Sequence, residues 1–158
     1  MTVVREGEPA PDFTLTSDAG RQVTLSDLRG RHVVLYFYPR DDTPGCTTQA
    51  CGIRDLYDEF EREGAVVLGV SPDDEASHVK FKDKYHLPFT LLADEGHRVA
   101  DTYGVWGEKS YMGRKYLGVD RSTFVIDTDG TVKRVMHKVK PATHADDVLE
   151  ALRAGGSD

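Results

Sequence analysis

The chain has 158 residues, 39% of them hydrophobic and 30% charged, the composition of one globular domain over residues 1–158. At this length folding buries roughly 70% of the surface an unfolded chain exposes, so neither a structural metal nor a disulfide is needed and the two cysteines are free for chemistry. Twenty Lys and Arg against 27 Asp and Glu leave a formal charge of -7, the wrong sign for nucleic acid or an anionic membrane.

The start, MTVVREGEPAPDF, lacks a basic segment followed by an apolar run, and no stretch approaches 18 consecutive apolar residues, so a cytoplasmic location is expected. A reducing cytoplasm disfavours a permanent disulfide, and Cys46 and Cys51 therefore need another explanation. The first few residues and the tail near 154–158 read as loose.

In chain order, Phe13–Thr16 and Gln22–Leu25 alternate around Asp18-Ala19-Gly20, an N-terminal β-hairpin. His32–Tyr38 is a continuous β-branched and aromatic run, a central strand covered on both faces. From Cys46 to Glu63 the apolar positions Ala50, Ile53, Tyr57 and Phe60 recur at helical spacing, and Gly64 stops the helix. Ala65–Val70 is a second buried strand, Asp73–Tyr85 a helix, Phe89–Ala93 a strand and Glu95–Tyr103 a short helix ended by Gly104. Val105–Asp120 shows three glycines and no period, a long loop of the kind that is often functional. Phe124–Asp127 and Val132–Lys138 flank the hairpin turn Thr128-Asp129-Gly130. A last helix runs from His144 to Arg153, with Thr143 and Asp146 spaced as a capping box. The order is that of an α/β protein with a thioredoxin-like fold: a central mixed β-sheet flanked by helices.

The central strand runs into Pro39-Arg40-Asp41-Asp42-Thr43-Pro44-Gly45, which leads directly to a helix holding Cys46 in its first turn. Unpaired N–H groups at a helix start favour a thiolate, the nucleophilic form of cysteine, over the thiol. Thr43 and Pro44 read as N-cap and first helical residue, which places the Cys46 N–H near the Thr43 hydroxyl. The bland alternative makes Thr43 only a cap and Cys46 a small buried residue on the stripe of Ile53 and Phe60. Residues five apart in a helix have Cα atoms about 8.6 Å apart. A disulfide tolerates at most about 7 Å. Cys46 and Cys51 can therefore bond only if the helix locally unwinds. Cys51 lies on the face of Asp55 and Asp58, and its bland alternative is an incidental thiol.

Pro39-x-x-x-Thr43-x-x-Cys46 resembles the active-site motif of peroxiredoxins, and Cys51 resembles the resolving cysteine of the peroxiredoxin Q, or bacterioferritin comigratory protein, group. The resemblance covers nearly the whole chain through PAPDFTL (9–15), YFYPRDDTPGCTTQAC (36–51), YGVWGEK (103–109) and RSTFVID (121–127). It implies that Cys46 is the peroxidatic cysteine, that Cys51 resolves it, and that Pro39, Thr43 and Arg121 complete the site. Hydrogen peroxide and organic hydroperoxides are the implied substrates, and thioredoxin or a similar dithiol the implied reductant, with no flavin, haem or metal. Read as residues alone, Arg121 is as well a solvated surface group and Pro39 an ordinary strand terminator. Chemistry supports each implied role: breaking an O–O bond needs a thiolate in line with it and donors for the charge growing on the departing oxygen.

Other constellations carry less. Asp127-Thr128-Asp129-Gly130 lacks the ligands of a calcium loop, and the six histidines show no metal-binding spacing. Trp106, Tyr111 and Tyr116 in the long loop either cover the site, meet the reductant or pack on the surface, and Lys109, Arg114 and Lys115 make that loop basic enough to steer an acidic partner. Two rival readings stand beside the peroxidase: a general thiol-disulfide oxidoreductase, against which the missing Cys-x-x-Cys argues, and a non-enzymatic redox sensor, which would saturate after one equivalent of peroxide. A monomer is expected, and a weak dimer through surfaces near the active-site loops is compatible with the sequence.

Overall fold

The computed structural model describes residues Val4 to Ala154; the loose ends expected at both termini fall largely outside that range. One seven-stranded mixed sheet organises the chain. Strands β1 (Thr14–Ser17) and β2 (Gln22–Thr24) form the N-terminal hairpin, with Leu15 opposite Val23. β3 (His32–Phe37) is the apolar run read as central. It lies parallel to β4 (Ala65–Ser71) on one side and antiparallel to β8 (Ser122–Ile126) on the other. With β5 (Thr90–Ala93) and β9 (Val132–His137) the order is β2-β1-β5-β4-β3-β8-β9.

The two-residue period of β3 divides the core. Val34, Tyr36 and Tyr38 face helices α1 (Pro44–Asp55), α2 (Tyr57–Arg62), α3 (Glu75–Tyr85) and α5 (His144–Ala154) through Ala50, Ile53, Phe60, Phe81, Val148 and Leu152. Val33, Leu35 and Phe37 face the opposite layer, where α4 (Arg98–Thr102) contributes Val99 and Ala100 beside Phe13, Tyr103 and Phe124. Each large side chain fully buried in these layers contributes about 1.5–3 kcal/mol.

Several elements differ from the sequence expectation. The helix expected over 46–63 breaks at Leu56, whose φ of -107° and ψ of 12° leave helical geometry while its N–H bonds the Ile53 carbonyl. No glycine or proline marks the break, so periodicity runs through it. The helix expected from Glu95 starts instead at Arg98. His97 is left-handed (φ 49°), and the buried Asp94 carboxylate accepts from the Val99 and Ala100 N–H groups at 3.2 and 2.9 Å. The helix expected from Asp73 begins at Glu75, capped by Asp74, whose side chain accepts from Ser77 N–H at 2.8 Å. At α5 the Thr143 hydroxyl donates to Asp147 at 2.9 Å rather than pairing with Asp146.

The largest correction is Val105–Asp120. It is a two-stranded hairpin, β6 (Trp106–Tyr111) and β7 (Arg114–Val119), turning at Met112 (φ 52°) and Gly113 (φ 81°). Two consecutive residues of positive φ make the tight turn that matches strand twist. Most of β7 is exposed and Gly107 pairs with Gly118, so backbone ladder bonds hold these strands without the apolar alternation that would reveal them.

Candidate active site

Four elements converge at the C-terminal end of β3. Pro39, half-buried, follows the strand, and the turn after it feeds α1. Pro44 opens α1 and Thr43 is its N-cap, with Thr47 N–H bonding the Thr43 carbonyl at 2.8 Å. The Thr43 side chain does not cap the helix as expected. Its hydroxyl donates to the Arg40 carbonyl at 2.9 Å and closes the preceding turn, which leaves the oxygen lone pairs as acceptors. Among the described residues no side chain caps the first turn of α1, so the amides around Cys46 stay available to an anion there.

Cys46 is 1% exposed and packs in the same cluster as Ala50 and Ile53, yet it is not enclosed by hydrocarbon alone. Arg121, at the start of β8, donates from Nη1 to Cys46 Sγ at 3.1 Å and to Gln49 Oε1 at 2.6 Å. The antiparallel register that sets Ser122 opposite Phe37 brings this arginine from 75 residues away to the strand end beside the cysteine helix. Cys46 is buried, as its bland alternative has it, while Arg121 is not the solvated surface group of its own. The cysteine is a core residue that also takes a charged donor, and the arginine is half-buried. Cys51 sits half-buried later on the same unbroken helix, and both thiols are free. Helical geometry puts their Cα atoms about 8.6 Å apart.

Gln49, Asp41 and His78 form the part of the site that sequence reading missed. Gln49 is fully buried, with its oxygen on Arg121 and its Nε2 unpartnered. Asp41, inside the Pro39–Thr43 turn, accepts from the Tyr38 hydroxyl (2.6 Å), the Ser77 hydroxyl (2.8 Å) and His78 Nδ1 (2.7 Å), while its own N–H donates to Asp73 (2.7 Å). His78 Nε2 meets the Leu92 carbonyl at 2.9 Å. Both ring nitrogens face acceptors, an arrangement that favours the doubly protonated ring. Burial by itself pushes the His78 pKa down; the Asp41 hydrogen bond and charge, with Leu92 and Asp73 behind them, overcome it and hold the pKa above the ordinary value. Only Gln49 had a local signal, a polar residue one helical turn from Cys46 on the buried stripe. His78 lies 37 positions from Asp41 and had none.

The hairpin aromatics and bases divide. Trp106 stacks on His97 with ring centroids 3.9 Å apart, Tyr116 is exposed, and the Tyr111 side chain lies outside what the structure describes. Lys109 is held by the Val119 carbonyl and by Asp120. Asp127-Thr128-Asp129-Gly130 forms the turn between β8 and β9, with Gly130 N–H bonding the Asp127 carbonyl at 3.0 Å.

The sequence profile of the AhpC/TSA family matches residues 6–135, most of the chain. The chain belongs to the AhpC/TSA family of peroxiredoxins. Among curated relatives, it is 47% identical over 147 residues to peroxiredoxin Bcp of Bacillus subtilis, covering 93% of this chain and 94% of that protein. The bacterioferritin comigratory protein of Xanthomonas campestris, a structure tied to alkyl peroxide reduction, superposes with a TM-score of 0.87 at 40% identity over 92% of either chain. A PrxQ mutant of Xylella fastidiosa superposes at 0.93, with 32% identity over 99% of this chain and 100% of that one. The mixed sheet and its helical layers are thus the thioredoxin-like fold of peroxiredoxins, and the reaction of this peroxiredoxin is thiol-dependent reduction of peroxide.

Proposed function

We propose that this peroxiredoxin is a single-domain cytoplasmic monomer in which Cys46 is the peroxidatic residue and Cys51 resolves it. The Cys46 thiolate attacks one oxygen of a hydroperoxide. The O–O bond breaks, sulfur is oxidised to the sulfenic acid, and the departing alkoxide or hydroxide takes a proton and leaves as alcohol or water. The Arg121 guanidinium steadies the thiolate and the charge growing on the peroxide oxygens, with the free amides of α1 beside it. The Thr43 oxygen accepts a hydrogen bond from the hydroperoxide O–H, and Pro39, with no N–H to hydrate, walls the pocket. The first turns of α1 then unwind, the Cys51 thiol attacks the sulfenic sulfur, water leaves, and an external dithiol of the thioredoxin kind reduces the disulfide.

The observation that carries this reading is the 3.1 Å contact from the Arg121 guanidinium to the Cys46 sulfur at an uncapped helix start. Stopped-flow titration with hydrogen peroxide tests it. The parent protein should consume peroxide and form an intramolecular disulfide, Cys46→Ser should be inert, and Cys51→Ser should react once and then stall until a small thiol rescues it. Peroxide consumption by Cys46→Ser at the parent rate would refute the assignment.

A further inference from the structure

Gly45 has ordinary right-handed backbone geometry, so no turn demands a glycine there. What it lacks is a side chain, and that space is occupied. A Cβ on Gly45 would lie 2.6 Å from Nη2 and 3.0 Å from Cζ of Arg121, both well inside van der Waals contact. The next nearest atom is Pro141 Cγ, at 3.5 Å. The guanidinium has no slack to yield, because its other arm is tied to Cys46 Sγ and Gln49 Oε1. Moving Nη2 by the several tenths of an ångström a methyl group needs would stretch both bonds.

Resting on the assignment of Cys46 and Arg121 above, we propose that Gly45 is a positioning residue: the bare Cα between Pro44 and Cys46 is the seat of the Arg121 guanidinium. Gly45, Cys46 and Gln49 are positions i, i+1 and i+4 of one helix, so a single turn supplies the flat floor, the sulfur and the amide oxygen that the planar fork needs. The arrangement exists only while that turn is helical. Unwinding it for disulfide formation therefore also releases the arginine, and the donor is in place for peroxide attack but not for resolution.

Gly45→Ala separates this role from a structural one, because alanine is the better helix former and by propensity raises the stability of α1. Rates of peroxide reaction at Cys46 are measured by stopped flow for the parent, Gly45→Ala, Arg121→Lys and the double variant, with thermal midpoints beside them. Removing a comparable donor from an oxyanion site costs about 10² to 10³ in rate, and a displaced guanidinium is expected to cost at least tenfold. Gly45→Ala should lose that much with an unchanged or higher midpoint. In the Arg121→Lys background, whose ammonium has no second arm over the helix, the same methyl should change the rate by less than twofold. A Gly45→Ala rate within twofold of the parent, or an equal loss in both backgrounds, or a failure to fold in both, overturns the proposal. An inert parent would instead overturn the peroxidase assignment beneath it.

Discussion

In the proposed reaction Cys46 meets two demands at once, burial in the core and nucleophilic attack on a peroxide. The guanidinium 3.1 Å from the sulfur and the uncapped amides at the helix start put donors beside a side chain that is 1% exposed. Gln49 is then the residue whose loss should be felt most without touching the reacting atoms, because its oxygen fixes the fork that reaches the sulfur. Gln49→Leu keeps the volume and the burial. It should slow peroxide reaction about tenfold, short of the full loss of a donor, while the thermal midpoint changes little. Stopped-flow rates at matched stability decide it; an unchanged rate would mean Arg121 holds its place unaided.

At the scale of elements, the turn 39–43 between β3 and α1 is held from outside. α3 reaches it through His78 and Ser77 onto Asp41, and through Lys84 and Tyr85 onto Asp42, whose φ is 53°. The Asp41 and His78 side chains are 4% and 0% exposed, so their pairing is strong and its rupture costly. Replacing His78 by leucine leaves the Asp41 carboxylate buried without its counter-charge. Urea unfolding should show a loss of about 3–5 kcal/mol, the cost of breaking a buried pair from one side. A loss under about 1 kcal/mol would place the carboxylate in solvent contact after all.

Over the whole molecule, two buried histidines tie stability to pH with opposite signs. His144 is fully buried, bonds Thr123 Oγ1 through Nε2 at 2.6 Å, and burial lowers its pKa from 6.5 to about 4, with the Asp147 charge opposing and Arg121 assisting. The unfolded chain takes up this proton at higher pH than the folded one. Its contribution is therefore complete above about pH 6.5 and is lost as pH falls toward 4, amounting to about 3 kcal/mol. His78, with its pKa raised, contributes stability that is complete below 6.5 and is lost as pH rises through the elevated value. Between pH 7 and 5 the His144 effect dominates. Urea midpoints should fall over that interval, and His144→Gln, which keeps a partner for Thr123, should flatten the slope. An equal slope in the variant would assign the acid loss to other groups.

The periodic elements were legible along the chain because burial leaves a pattern there. β3 is apolar and buried from Val33 to Phe37 since both faces are covered, α1 starts where Thr43-Pro44 says it does, and the cysteine spacing alone forbids a bond within an intact helix. The β6–β7 hairpin was not legible, because β7 is exposed along most of its length and the paired glycines leave no apolar alternation to read. Nor was the break at Leu56, which no residue type announces. The chemistry-bearing types of Cys46, Cys51, Thr43 and Arg121 could be named from their motif, but only the tertiary structure decided that Arg121 touches the sulfur, that Asp41 and His78 clamp the turn, and that Arg121 fills the space beside the Gly45 Cα. The reason is physical: local propensity and periodicity act over a few residues, whereas a hydrogen bond spanning 75 positions exists only after strand register has been set by packing.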